Sequence, residues 1–166
     1  MPIEFNITLT TKDMYRFNMY QTYTGFQGWF SVAIGIFAFV LGVLTFGEVS
    51  VARTALDIVF GILLLVYLPL TLYVRSKHNI AVSEVLKYPL HFSVGEDGFT
   101  VSQKEESANL PWEQIYKVVA TKSNVLVYSS RINAYVIPRE QLGDAYGALA
   151  KLAGRKLPKY RLKMKA

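Results

Sequence analysis

The sequence predicts an α+β membrane protein in which a two-helix transmembrane hairpin is inserted into an antiparallel β-rich domain with a C-terminal helix. Three observations predict this class. Two long apolar runs lie close together, a short alternating segment precedes them, and several alternating segments separated by turn residues follow them. The hydrophobic fraction of 52% is high for 166 residues, and the excess is concentrated in residues 25–74.

Residues 1–24 are predicted to form a strand and a helix that are part of the cytoplasmic domain. Residues 3–9 alternate between apolar and polar side chains, which is typical of a half-buried strand. Thr10 or Thr11 is expected to cap a helix that begins at about Lys12 and carries Asp13 in its first turn. The strand needs a sheet, and the only candidate sheet lies beyond the second apolar run.

Residues 25–74 are predicted to be the transmembrane hairpin, with spans at 25–46 and 54–74. The first run holds 22 residues without a charge, and the second holds 21 residues with one charge, Asp57. A helix of 22 residues covers roughly 33 Å, enough for a hydrocarbon core of about 30 Å. Buried helices of a soluble bundle would show a polar stripe, which residues 31–46 lack. A signal peptide would be shorter and would begin earlier.

Basic residues flank the hairpin on one side. Arg75 and Lys77 follow the second span, and Lys12 and Arg16 precede the first. Positive charge next to membrane spans favours the cytoplasmic side. Both termini are therefore expected to be cytoplasmic.

Four small residues are candidates for helix packing. Gly35, Ala38 and Gly42 fall on one helix face at spacings of three and four, which lets another helix approach closely, and Gly61 is the candidate match on the second span. The alternative is that glycine is simply common in membrane helices. Asp57 suggests either a proton or ion relay or an interfacial carboxylate favoured by the helix dipole. The lack of a partner on the first span favours the interfacial interpretation.

Residues 75–154 are predicted to form the β domain and its terminal helix. Strands are expected at 90–94, 99–101, 115–120, 125–128 and 134–137, with a polar connection over 103–109. Pro138 ends the last strand because it lacks the amide donor. Asp144 is expected to open the helix and Gly154 to close it, with Leu149, Leu152 and Ala153 packed on the sheet.

Several segments of the β domain resemble a known family. Pro111-Trp112, Ile115 and Val118 precede one strand, and residues 134–139 (Ala-Tyr-Val-Ile-Pro-Arg) end another. These segments, together with residues 11–15 and the two spans, resemble the YcxB-like family of bacterial membrane proteins up to about Gly154. The resemblance implies a PH-like (pleckstrin-homology-like) β half-barrel closed by a helix, in a bacterial cytoplasmic (inner) membrane. It implies no known activity.

The sequence offers no catalytic or metal-binding constellation. Cysteine is absent, which excludes disulfides, thiolate metal sites and cysteine nucleophiles. His78 and His91 are far apart on different elements, and the pair Glu105-Glu106 is typical of a solvated turn. Trp112 is expected to be a core anchor. The sequence therefore predicts neither an enzyme nor a cofactor.

Residues 155–166 are predicted to form a basic tail. Residues 75–166 contain 15 basic and 8 acidic side chains, and none of the acidic ones follows residue 144. Each cation near an anionic leaflet contributes about 1 kcal/mol. The expected lipid-surface contacts are Arg155, Lys156, Lys159, Arg161, Lys163 and Lys165. Nucleic-acid binding is a less favoured alternative, because the lipid surface is always nearer, and a disordered solubilising tail is the other alternative.

Two functions are consistent with this pattern. The first is a membrane-anchored cytoplasmic interaction module that binds a partner protein or an anionic lipid surface. The second is an accessory or regulatory subunit of a larger membrane complex assembled through the hairpin. The expected partners are the bilayer, anionic phospholipid headgroups, and a membrane or cytoplasmic protein or a second copy of the chain.

Overall fold

The computed structural model describes residues 2–164, a mixed α+β chain that divides into two units. The sheet unit comprises residues 2–17 and 78–164, and the apolar-helix unit comprises residues 18–77. The elements in chain order are β1 (Ile3–Ile7), α1 (Thr11–Thr24), α2 (Phe26–Leu44), α3 (Val51–Val82), α4 (Glu84–Lys87), β2 (Leu90–Val94), β3 (Gly98–Gln103), β4 (Glu106–Pro111), a 3-10 turn (Trp112–Gln114), β5 (Lys117–Ala120), β6 (Asn124–Tyr128), β7 (Ala134–Pro138), α5 (Arg139–Leu142), α6 (Ala145–Lys156) and β8 (Leu162–Lys163).

The N-terminal strand belongs to a sheet built mostly from residues beyond the apolar helices. β1 pairs antiparallel with β2, with Ile7 opposite Leu90, in a four-stranded sheet of order β1-β2-β3-β4. Phe5 and Phe92 stack on its inner face with ring centroids 5.4 Å apart. The prediction that the first strand joins the sheet beyond the second apolar run is confirmed.

The outer strand of this sheet was not expected from the sequence. β4 occupies most of residues 103–109, so the predicted polar connection is wrong there. It pairs with β3 from Gln103 opposite Glu106 to Gly98 opposite Pro111. Its first four residues are exposed, because β4 is an edge strand whose first half has no covering layer. A strand without a buried face shows no alternation by which to recognise it.

The strands after β4 form a second four-stranded sheet. Its order is β7-β6-β5-β8, with β5 and β8 parallel and the other pairs antiparallel. All five residues of β6 are buried. The structure folds residues 155–164 onto the sheet unit, since Leu157 is buried and Lys163 lies opposite Val119 in the β5–β8 pair.

The terminal helix α6 packs on the sheets by its apolar face. Leu149, Leu152 and Ala153 are buried, as the sequence predicts. The predicted stop at Gly154 is wrong, because the helix continues to Lys156 and ends where Leu157 adopts an extended conformation.

The start of α1 is held by a reciprocal cap. The carboxylate of Asp13 accepts hydrogen bonds from the amide nitrogen of Thr10 at 3.1 Å and from its hydroxyl. The amide of Asp13 in turn donates to the Thr10 hydroxyl oxygen at 3.3 Å. This arrangement satisfies free amides of the first turn, and the structure selects Thr10 over Thr11 as the cap.

The apolar-helix unit contains the second half of α1, all of α2 and most of α3. Within residues 2–164, α3 is the one helix long and apolar enough to cross a membrane. α1 and residues 28–44 are also long and apolar enough if they are counted as one span, but the two helices are bent by 77° relative to each other. α3 runs past the predicted end at residue 74 through Arg75 and Lys77, and Pro69 does not interrupt it. Large apolar side chains on both α2 and α3 are exposed, among them Phe37, Leu63 and Leu70.

Candidate functional site

The small residues of α2 and α3 lie where these helices cross. A Cβ on Gly61 would lie 2.8 Å from the carbonyl oxygen of Gly35, and one on Gly42 would lie 2.7 Å from Cγ1 of Ile58. Gly35, Gly42 and Gly61 are buried, and Ala38 is half-buried. The close approach of the two backbones therefore depends on the absence of side chains at these glycines.

Asp57 lies near the same crossing. Its Cβ is 3.3 Å from the point that a Cβ on Gly42 would occupy. Because α3 begins at Val51 rather than near residue 54, Asp57 lies in the second turn. The helix dipole acts mainly within the first turn, so the dipole argument for Asp57 made from the sequence no longer holds.

The basic residues predicted to contact lipid are not brought together by the fold. Lys156 forms an ion pair with Glu96 at 2.6 Å, and Arg155 lies 3.9 Å from the same carboxylate. The hydrogen bond from Lys156, and the positive charges of Lys156 and Arg155, hold the pKa of Glu96 below its usual range. Glu96 follows the end of β2, at the end of the first sheet where β1 begins. The two cations therefore lie at the opposite end of this sheet from the connection between β1 and α1.

The other predicted cations have different surroundings. Arg161 donates through Nη1 to the carbonyl oxygen of Ile115 at 3.4 Å, and Lys159 is exposed in the turn before it. Lys163 lies in β8, and Lys165 lies outside the described residues.

Lys163 joins two cations that the sequence did not single out. An open groove beside β5 and β8 is lined by Lys122, Arg139 and Lys163 together with Tyr146, and none of its described lining residues is acidic. Arg139 stacks on the Tyr146 ring at 4.2 Å and donates to the carbonyl oxygen of Thr121 at 3.3 Å. We call these three cations the basic groove. Their positions in the sequence are scattered, and only the pairing of β5 with β6 and β8 brings them together.

The basic groove is connected to the helix that leads to the apolar segment. Asn124, at the end of the turn that carries Lys122, is buried and donates to the carbonyl oxygen of Asp13 in the first turn of α1 at 3.2 Å. The backbone of Arg139 is bonded to the same turn, at the carbonyl oxygen of Ser123. These contacts fix the groove relative to the start of α1.

Trp112 is a core residue, in agreement with the prediction. Its indole N–H donates to the carbonyl oxygen of Gly95 at 3.0 Å, and its ring packs edge-on against Phe99. No group of three or more His, Cys, Asp or Glu side chains within residues 2–164 is arranged to hold a metal ion. His91 instead lies 2.8 Å from the side-chain oxygen of Asn6 on the neighbouring strand.

Comparison with known proteins gives one match. Residues 94–153, which run from the end of β2 into α6, match the family described as YcxB-like protein. This agrees with the resemblance seen in the strand motifs of the same region. No curated protein and no solved structure shows a significant match to the chain.

Proposed function

We propose that this chain, which resembles YcxB-like proteins in its soluble part, is a non-enzymatic interaction module anchored in a bacterial cytoplasmic membrane. In this proposal α2 and α3 are the two spans of a hairpin, both termini are cytoplasmic, and the sheet unit is a PH-like half-barrel. The module binds anionic phospholipid headgroups through the basic groove.

The pairing of β1 with β2 carries the proposal. The chain leaves the sheet unit after Ile7 and returns to the neighbouring strand at Leu90, so the apolar helices are an insertion within one sheet. Anchoring through both connections restricts the rotation of the sheet unit at the bilayer, which a single flexible linker would not do.

The exposed surface of α2 and α3 supports insertion into a bilayer. Soluble proteins rarely leave large contiguous apolar patches in water, yet α3 alone exposes Leu56, Val59, Phe60, Leu63 and Val66. The charges immediately after the predicted second span, Arg75 and Lys77, favour the cytoplasmic side for the sheet unit.

The arrangement of strands supports the half-barrel. Four strands (β1–β4) form one sheet, β5–β7 with the short β8 form the second, and α6 packs on the core by its apolar face. The family match covers most of this region, from Val94 to residue 153.

The basic groove supports a preference for anionic headgroups. Arginine and lysine bind phosphate oxygens by charge-assisted hydrogen bonds, and three cations without an acid among the lining residues favour an anion. Asn124, beside the groove, donates to Asp13 in the first turn of α1, the helix that leads to the proposed first span.

The alternative is an accessory subunit that recruits a partner through the small-residue face of the hairpin. That face is already occupied by the contact between α2 and α3. Gly35 and Gly61 face each other across the α2–α3 crossing. A partner helix would have to bind elsewhere on the hairpin.

The membrane topology is tested by cysteine labelling, for which the absence of native cysteine makes the chain suitable. Glu48→Cys lies in the α2–α3 connection, and Glu105→Cys lies in the β3–β4 turn; both positions are exposed. In intact cells a membrane-impermeant maleimide should label the first and not the second. Equal labelling of the two, or extraction of the chain by alkaline carbonate, would refute the hairpin.

The lipid preference is tested with the full chain in detergent and a fluorescent short-chain phosphatidylglycerol. Lys122→Gln, Arg139→Gln and Lys163→Gln together should weaken binding roughly 100-fold, since each cation near an anionic group contributes about 1 kcal/mol. The control removes the same charge elsewhere, with Lys151→Gln, Arg155→Gln and Lys159→Gln, and should change affinity little. Equal losses in the two triple variants would show that only net charge matters.

A further inference from the structure

A cavity of about 360 Å³ lies within the sheet unit, between the inner face of the first sheet, α4 and β7. Its apolar wall includes Leu86, Phe92, Val101 and Val136. Cavities of this size with apolar walls are typical of sites for small ligands.

The cavity exists because the inner face of β4 is uncovered over its first half. Side chains two apart in a strand share a face, so Ala108 and Leu110 point to the same side, and Ala108 lies opposite the buried Val101. Leu110 is buried, whereas Ala108 is exposed. The packed core therefore ends partway along β4 and leaves an open apolar space beside Ala108.

The short helix α4 covers one side of this space through a few polar contacts. The side-chain amide of Gln103 donates to the carbonyl oxygens of Val85 at 2.8 Å and Tyr88 at 3.0 Å. The ammonium group of Lys104 lies 4.1 Å from the centre of the Tyr88 ring. Val85 lines the cavity and is 52% exposed. Displacement of α4 would thus open the cavity without disturbing the buried core.

The place of the cavity in the fold points to its occupant. Leu9, just after β1, and Leu90, at the start of β2, both line it. The cavity therefore lies at the end of the first sheet from which the chain leaves for α2 and to which it returns from α3. Val82, the last residue of α3, exposes an apolar side chain three residues before Val85. Exposed apolar side chains thus continue from the end of α3 to the cavity.

We propose that this cavity takes one acyl chain of a membrane phospholipid. The inference rests on the membrane anchoring proposed above. A methylene group is about the size of a water molecule, which takes up about 30 Å³ in the liquid. The cavity therefore has room for about a dozen methylene groups. The carboxylate of Glu106 lines the cavity and has no ion-pair partner among residues 2–164. It repels an anionic group held beside it. The carboxylate of a free fatty acid is attached directly to its chain, whereas glycerol and ester groups hold the phosphate of a phospholipid away from the cavity.

The test uses the full chain in nanodiscs that contain a trace of phosphatidylcholine with a diazirine in its acyl chain. After irradiation, adducts are expected on Val101 and Val136 as well as on α2 and α3. Ala108→Trp fills the space from the uncovered part of the inner face of β4. It should lower the Val101 and Val136 adducts at least tenfold. Ala134→Leu narrows the cavity from β7 and should lower them as well. Asn109→Trp, on the same strand but the opposite face, is the matched control and should leave them unchanged.

The outcomes separate this inference from the proposed function. Adducts on α2 and α3 without adducts in the cavity, or equal cavity adducts with and without Ala108→Trp, overturn the acyl-chain site alone. Absence of adducts on α2 and α3 refutes the membrane anchor itself. A second arm replaces the probe with a free diazirine fatty acid, and stronger labelling of the cavity by that probe overturns the assignment to a phospholipid.

Discussion

Replacement of Gly61 by alanine is expected to weaken the contact between α2 and α3. The new Cβ would lie 2.8 Å from the carbonyl oxygen of Gly35 and 2.8 Å from the amide nitrogen of Phe39. Both neighbours are backbone atoms, so no change of rotamer relieves the overlap. The helices must separate by several tenths of an ångström, and the contacts around the crossing weaken along with this separation.

Two effects of opposite sign decide the magnitude for Gly61→Ala. Alanine is favoured over glycine in a helix interior by about 0.5–1 kcal/mol, whereas overpacking a close contact costs about 1–3 kcal/mol. The expected net effect is a destabilisation of about 0.5–2 kcal/mol. Gly35→Ala should cost less, because its nearest neighbour is Cγ of Leu65 at 3.0 Å, and that side chain can move.

The assay is unfolding of the full chain in mixed micelles titrated with sodium dodecyl sulfate and followed by circular dichroism. Gly147→Ala in α6 is the matched control, because a Cβ at Gly147 meets nothing within 4 Å. That substitution should stabilise the chain by about 0.5–1 kcal/mol. A gain of the same sign and size for Gly61→Ala would refute the close approach of the two helices.

Three further predictions concern the sheet unit. Trp112→Phe removes an indole hydrogen bond of 3.0 Å and leaves a void in the core, so the free energy of unfolding should fall by about 2 kcal/mol in denaturant titration. Thr10→Ala removes the α1 cap and should cost about 1 kcal/mol, whereas Thr11→Ala should cost less than about 0.5 kcal/mol; equal losses would contradict the assigned cap. Glu96→Gln should reduce the loss of folding stability that accompanies a fall in pH. The lowered pKa of Glu96 means that its pairing with Lys156 stabilises the fold above the unfolded-state pKa of about 4.3, and this contribution is lost as pH falls through the lower folded-state value. If Glu96→Gln leaves the loss of stability unchanged in thermal unfolding between about pH 3 and pH 6, a range that brackets that value, the pair contributes nothing.

The parts of the fold with a regular burial pattern could be predicted from the sequence. β1 and β2 alternate between apolar and polar residues because one face of each strand is buried. The structure puts β1 in the expected sheet, and the strand it pairs with is β2. A cap at Thr10 or Thr11 was expected before Asp13, and the hydrogen bonds between Thr10 and Asp13 select the first. α3 was recognised from its apolar run, although its end was placed too early because the helix continues through charged residues into the sheet unit.

The remaining features depend on contacts between distant parts of the chain. β4 has an exposed first half, so nothing in residues 106–109 distinguishes it from a loop. The segment after Gly154 looked like a free tail because its charge was conspicuous, yet the buried Leu157 and the pairing of β8 with β5 fold it back. The basic groove combines Lys122, Arg139 and Lys163 from three separate elements, which no local pattern could group.

The pairing of β1 with β2 also constrains the order of events during synthesis. β1 leaves the ribosome first, but its partner strand follows only after more than 80 further residues, which include both apolar helices. Closing so long a loop carries an entropic cost that falls if its ends are held near each other. In the proposed topology a hairpin already inserted in the bilayer would do this, because α1 and the end of α3 would then emerge on the same side. We would thus expect the first sheet to be completed only after both helices have been inserted. In a chain with a single inserted helix, β1 would remain unpaired.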